Sequence, residues 1–239
     1  MRVLAVTTST SAQGVCLRRP DAPDAIVRLD YKRGEPRQLT RAIWQLLEDA
    51  GYVPADLDLL VCDVGPGSFT GLRLGLATVR AMAWAAAVPA VGVGSLEAML
   101  AETPAAAEGP WLAVLPSRRG VIYAGLGDAA GCWRTAEVAL IDLGPWCLEG
   151  AQPLAAPVGL VGPAAALEAA AAALPGELIY RQRPGPTIEW ICALGMAIAD
   201  RGLQDPSAAL QPRYLAVSEA ERAARLLPAG AGPKSPPTP

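Results

Sequence analysis

The chain contains no histidine. That one absence removes the Ser-His-Asp and Cys-His nucleophile systems, the HExxH zinc proteases and every site in which an imidazole holds a metal. Lysine is nearly missing too, with Lys32 and Lys234 the only two. The net charge is −3 and the pI near 5.1. A chain that grips nucleic acid through its own electrostatics needs a concentrated basic footprint, and none is present. No CxxC pair occurs among Cys16, Cys62, Cys132, Cys147 and Cys192. An odd count at irregular spacing reads as reduced structural thiols in a cytosolic protein. Long uninterrupted apolar runs are also lacking. The longest, from Leu72 to Val93, is broken by Arg73, Arg80 and Pro89, so it reads as a buried helix rather than a membrane anchor. Met1 and Arg2 lead straight into an apolar strand with no signal segment. The expectation is a soluble, cytoplasmic protein without membrane contact.

What is present is enough apolar material for a core: 52% of 239 residues, which suits one large domain or two small lobes. Val3–Val6, Gly14–Leu17 and Ala25–Tyr31 predict three short strands in an antiparallel meander. Pro36 stands where a helix over 36–50 would begin, with Leu39, Ile43, Leu46, Leu47 and Ala50 at helical spacing and Trp44 off that face. Leu59–Val64 reads as a buried strand. Phe69–Ala87 reads as a helix that is apolar nearly all round, so it must be covered on more than one side. Leu72, Leu76, Val79 and Ala83 make one face; Gly71, Gly75, Thr78 and Met82 make a small-residue face that would admit another backbone; Arg73, Ala77, Arg80 and Trp84 make a third.

Ala90–Val93 predicts a further strand, with Ser95 capping the helix Leu96–Ala101. The remaining elements are a hairpin of Trp111–Leu115 with Val121–Leu126, an irregular connection over 144–157, and helices Ala164–Leu174 and Thr187–Arg201, the last with Ile188, Ile191, Leu194 and Ile198 on one face. The resulting division is a first lobe over 1–103, a linker over 104–110, a smaller lobe over 111–226 and a disordered tail over 227–239, with no internal repeat. The class is α/β, but the opening meander does not fit a plain Rossmann sheet.

The sharpest local feature is Gly65-Pro66-Gly67-Ser68-Phe69-Thr70-Gly71. It is a tight turn off a strand into a helix that Ser68 can cap, and a helix N-terminus suits an anion. It is neither a P-loop, since no Lys-Ser/Thr follows, nor GxGxxG. A structural corner and a phosphate contact both fit. The hydroxyl string Thr7–Ser11 reads in the same two ways. Paired catalytic carboxylates are not evident; Glu48-Asp49 and Asp56/Asp58 flank a turn and look solvent-facing.

The strings VLAVTTSTSAQGVCL, CDVGPGSFTGLRLGLATVRAMAWA and PAVGVGSLEAM resemble the TsaB (YeaZ) family, with AVLPSRRGVIYAGL and LQPRYLAVSEAE fitting more loosely. The resemblance covers residues 1–126 well and 205–221 weakly. It implies an actin-like ATPase fold of two ribonuclease-H-like lobes, the second reduced. It also implies a non-catalytic scaffold and dimerisation subunit in making threonylcarbamoyladenosine beside the tRNA anticodon. The implied partners are a TsaD-like catalytic subunit and a TsaE-like ATPase, with a homodimer when alone and tRNA met only indirectly. No cofactor is required on this reading. ATP or ADP would be held weakly at a subunit interface, with Thr8, Thr10, Gly65, Gly67, Ser68, Thr70 and Gly71 as the contacts. Leu39, Ile43, Trp44, Arg73, Ala77, Arg80 and Trp84 are the implied interface.

Three departures from the family pattern bear on chemistry. Thr7 stands where the family has an Asp after its first strand, a position that would help hold a nucleotide's magnesium. Glu35-Pro36-Arg37 replaces His-Ser-Glu, and Pro116-Ser117-Arg118 replaces Asp-Ala-Arg. The rival expectation is a small-molecule kinase-like phosphotransferase of the same superfold, which would need carboxylates where Thr7 and Pro116 stand. A protease acting on its partner finds neither a histidine base nor a Ser–Lys pair.

Overall fold

The computed structural model describes residues 1–29, 38–103, 109–128, 130–149, 159–203 and 210–215. β1 (Val3–Thr7), β2 (Gln13–Arg19) and β3 (Ala22–Leu29) form the expected antiparallel meander. The chain continues through α1 (Gln38–Asp49), β4 (Leu59–Gly65), α2 (Phe69–Ala86) and β5 (Ala90–Gly94). β4 pairs in parallel with β1, and β5 in parallel with β4, giving a five-stranded sheet in the order β3-β2-β1-β4-β5. Parallel neighbours need a crossover that returns the chain to the same end, which the helices supply.

The pattern then recurs. After α3 (Ser95–Ala101) come β6 (Trp111–Arg118), β7 (Val121–Asp128) and β8 (Gly131–Ala139), a second antiparallel meander. α4 (Leu143–Leu148), β9 (Gly159–Gly162), α5 (Ala164–Ala173) and β10 (Ile179–Gln182) follow, with β9 parallel to β6 and β10 parallel to β9. The second sheet, β10-β9-β6-β7-β8, therefore repeats the topology of the first. No repeat was expected from the sequence, because the repetition lies in strand order and not in residues.

Each sheet is covered on both faces. In β1, Leu4 and Val6 pack with Leu39, Ile43 and Leu47 of α1 and Leu76 and Val79 of α2. On the other face, Val3 and Ala5 pack with Ile188, Ile191 and Cys192 of α6 (Ile188–Asp200). A strand buried on both faces reads as a continuous apolar run, as Val3–Val6 does. α3 fills the space between the sheets, with Leu96, Met99 and Leu100 against Trp111, Ala113 and Leu115. α4 and α5 cover the far side of the second sheet.

Several expectations need correction. The expected division puts α6 in the lobe 111–226, yet α6 packs on the first sheet, and so does Leu210, a core residue there. The burial of α6 centres on Ile188, Ile191, Cys192, Gly195 and Ala199, turned from the expected stripe. Part of the 144–157 connection is helical, as α4. Ser95 does not cap α3; Gly94 holds that position, and its N–H donates to Glu97 Oε2 at 2.9 Å. Pro36, the interior of the 104–110 linker and the 227–239 tail lie outside the described residues.

One packing feature sets the position of α2. A Cβ at Gly67 would lie 2.2 Å from the Ser9 carbonyl oxygen, at Gly71 2.0 Å from the Thr8 carbonyl oxygen, and at Gly75 2.4 Å from Thr8 Oγ1. Residues four apart share a helix face, so Gly71 and Gly75 open one groove for the turn that leaves β1. Thr8 Oγ1 donates to the Gly71 carbonyl at 2.7 Å, and Ser68 N donates to the Ser9 carbonyl at 2.6 Å. Gly71→Ala is expected to lower stability by about 1–3 kcal/mol through overpacking, against the ~1 kcal/mol that alanine contributes in helix propensity. Gly131→Ala, with nothing within 4 Å, should change it by less than about 0.5 kcal/mol. Urea denaturation checks both; a Gly71→Ala protein more stable than wild type contradicts the packing.

Candidate functional site

The strands β1, β4 and β5 run parallel, so their carboxyl ends lie together, where open α/β sheets bind ligands. On the α6 face of the sheet the residues Val3, Ala5 and Thr7 of β1 lie beside Leu59, Val61 and Asp63 of β4. The last pair is polar. Asp63 is fully buried, and four donors converge on it. Thr7 Oγ1 donates to Oδ2 at 2.7 Å, and Ser9 Oγ donates to the same oxygen. Ser95 Oγ donates to Oδ1 at 2.6 Å, and the Gly65 N–H to the same oxygen at 2.9 Å. Burial pushes the Asp63 carboxyl above the ordinary carboxylate range, while the three hydroxyls and the amide pull the other way.

Sequence reasoning missed Asp63. Its signal was a lone carboxylate inside the otherwise apolar string LLVCDVG. The carboxylate absent from position 7 thus has a counterpart one strand away, and Thr7 is one of the groups that occupy it. With both oxygens already accepting two bonds, Asp63 is a structural tie between β1, β4 and α3.

Above this tie a cleft of about 340 Å³ opens between the sheets, lined by Ser9, Thr10, Ser11, Gly67, Ser68, Leu115, Pro116, Pro163 and Pro184. Of the expected nucleotide contacts, Thr10, Gly67 and Ser68 reach it. The Thr8 hydroxyl is spent on Gly71, and Gly71 is packed under Thr8. Ser68 Oγ accepts the Gly71 N–H at 3.3 Å, and Thr10 Oγ1 accepts the Ala12 N–H at 3.1 Å. Gly65, with φ +99°, sits beside Leu72 and away from the cleft, while Thr70 is solvent-exposed. Among the described residues, no charged side chain lines the cleft. Among the described residues, no group of three or more Asp, Glu or Cys side chains is placed to hold a metal ion. A magnesium nucleotide, which the actin-like class would lead one to test, finds neither a free carboxylate nor a cation among the described residues of the cleft, and these residues do not fit it.

The outer face of α2 differs. Arg73, Ala77, Ala81 and Arg80 are exposed, and Trp84 is 82% exposed. Arg73 lies 3.8 Å over the ring of Phe69, and its Nε donates to the Tyr214 hydroxyl at 3.3 Å. Trp44 of α1 is 50% exposed. Leu39 and Ile43, expected at an interface, are instead 2% and 1% exposed in the core, because their stripe is the one that covers the chain's own sheet.

Comparison with solved structures places this architecture. A protein described as similar to peptidase YeaZ from Pseudomonas aeruginosa superposes with a TM-score of 0.75 at 21% identity, over 90% of this chain and 99% of that one. YeaZ from the same organism gives 0.73 at 20% identity, with the same coverage. The fold is that of the actin-like ATPases. Within that class, the chain is similar to the TsaB (YeaZ) family. The tRNA threonylcarbamoyladenosine biosynthesis protein TsaB of Bacillus subtilis is 34% identical over 126 residues, 53% of this chain and 55% of that protein. TsaB of Escherichia coli is 32% identical over 135 residues, 52% and 53% of the two chains. The chain thus spans about half the length of these relatives. Residues 32–131 also match the family model described as TsaD, tRNA N6-adenosine threonylcarbamoyltransferase. Among the described residues no helix is long and apolar enough to cross a membrane.

The raised carboxyl of Asp63 has a consequence for pH. Because its folded value lies above its unfolded one, the folded state binds the extra proton. The stability this group contributes is full below the unfolded value near 4 and is lost as pH rises through the folded value. Asp63→Asn, which does not titrate, should therefore lose more stability relative to wild type at pH 4.5 than at pH 7.5. Denaturant titrations at the two pH values check this; a gap that widens with pH means the carboxylate is held ionised.

Proposed function

We propose that this protein acts in the biosynthesis of threonylcarbamoyladenosine on tRNA. In this reading it is a non-catalytic scaffold that pairs with a TsaD-like catalytic subunit in the cytoplasm, with a TsaE-like ATPase joining the pair and tRNA met only through the partner. The TsaB relatives carry the biosynthetic class. The observation that carries the scaffold role is the exposed stripe Arg73, Ala77, Arg80 and Trp84 on a helix whose opposite side is held by the Thr8–Ser9 turn.

The stripe has the composition of an interface centre. Tryptophan and arginine are enriched at such centres, and the alanines between them let a facing helix come close. The α2 sequence has two arginines and no carboxylate. A partner with acids opposite Arg73 and Arg80 is therefore better matched than a second copy of α2. Alone, the chain would pair through the same stripe as an isologous homodimer.

The chemistry is left to the partner. Thr7 spends its hydroxyl on the sealed Asp63, and Pro116 lies in the wall of the cleft. Thr7 and Pro116 stand where a phosphotransferase would need carboxylates for magnesium and a base. No cofactor is required in this account.

Ala77→Glu tests the reading. A carboxylate in the middle of the stripe, left unpaired on burial, should weaken pairing by about 3–5 kcal/mol, or more than 100-fold in Kd. Sedimentation of the variant with the TsaD-like subunit of its own host, beside circular dichroism, measures both pairing and folding. A folded variant that pairs as tightly as wild type places the interface elsewhere.

A further inference from the structure

β2 and α6 lie side by side, and their residues meet in matched steps. A Cβ at Gly14 would sit 3.6 Å from Ile188 Cβ. Between this rung and the next, Cys16 and Cys192 lie buried in one cluster. Arg18 Nη1 lies 3.3 Å from Met196 Sδ. Two residues of strand advance about 6.6 Å and four of helix about 6 Å, so the elements stay in register over these three rungs. The middle rung is a pair of fully buried thiols. Arg18 is fixed beside it by Asp24, with Nε to Oδ1 at 3.0 Å and Nη2 to Oδ2 at 2.6 Å.

We propose that Cys16 and Cys192 are a dithiol that hydrogen peroxide converts into a disulfide, a covalent staple between β2 and α6. The Cys192 thiolate attacks one peroxide oxygen; the O–O bond breaks, hydroxide leaves, and a sulfenic acid remains on Cys192. The Cys16 sulfur then attacks the Cys192 sulfur. The S–S bond forms, the S–O bond breaks, and the departing hydroxide takes the Cys16 proton as water. Two thiols give two electrons to one peroxide, leaving a disulfide and two waters.

The roles follow from the surroundings. The neighbouring Cys16 thiol, with the Arg18 charge, holds the Cys192 thiol below its ordinary range, which favours the nucleophilic thiolate. Burial pushes Cys132 and Cys147 up to about 11, and Cys62 well above its ordinary value. Peroxide is close to water in size, which suits a closed site better than a bulky disulfide does. α6 covers the sheet face opposite α2, so the staple leaves the stripe of Arg73 and Trp84 unaltered. It would fix the helix that begins just after Pro184 in the cleft wall.

The test uses the full, reduced protein treated with hydrogen peroxide, quenched and unfolded. Thiol titration should fall from five per chain to three, and return to five with dithiothreitol. Non-reducing proteolysis with mass spectrometry should recover Cys16 linked to Cys192 within one chain. Cys192→Ser should keep all four of its thiols under the same treatment; if that variant does not fold, Cys16→Ser and the wild-type linkage map decide. Five thiols retained in wild type, a linkage through Cys132, or a bond between chains overturns the proposal.

Discussion

The turn that leaves β1 lies directly on the backbone of α2, and the rest of the arrangement depends on that contact. The carbonyls of Thr8 and Ser9 occupy the space that side chains would take at Gly71 and Gly67. Because the turn fits so closely, α2 can neither roll nor slide without a clash between main-chain atoms. Leu72, Leu76 and Val79 then face the sheet, and Arg73, Ala77, Arg80 and Trp84 are left outside. The same contact brings Ser9 within reach of Asp63, so the glycine groove and the buried carboxylate tie form one unit.

This accounts for the glycine-rich string without a phosphate. Backbone donors at a helix start are a ready anion site only while they are free. Here Ser68 N is taken by the Ser9 carbonyl and Gly71 N by Ser68 Oγ. The hydroxyls of Thr7, Ser9 and Ser95 are likewise directed at Asp63. The cleft is lined chiefly by prolines and hydroxyls.

The meander, α1, β4, α2, β5 and α5 could be read from periodicity because each pairs a clear apolar face with clear punctuation. The strands β8, β9 and β10 could not. Gly159–Gly162 is four residues with glycine at both ends, Ile179–Gln182 is an exposed edge, and Gly131–Ala139 lacks a buried stripe. The turned face of α6 has a specific cause: Gly195 admits Val61, which a Cβ would approach to 2.4 Å, so the helix seats on glycine rather than on Leu194 and Ile198. The stripe on α2 was readable as the side least needed by a core. Leu39 and Ile43 were not separable from it, since an apolar helical face looks the same whether it covers its own sheet or a partner.

The central proposal is that the outward face of α2, and not the α6 side of the molecule, is where this chain meets a TsaD-like partner. A photo-cross-linking residue placed at position 84 and, in a second protein, at position 190 separates the two, because Trp84 and Trp190 are both exposed and lie on helices that cover opposite faces of the first sheet. Irradiation after co-expression in the native host should join position 84 to the TsaD-like subunit and leave position 190 unlinked. Cross-links to that subunit from position 190 with none from position 84 would contradict the account.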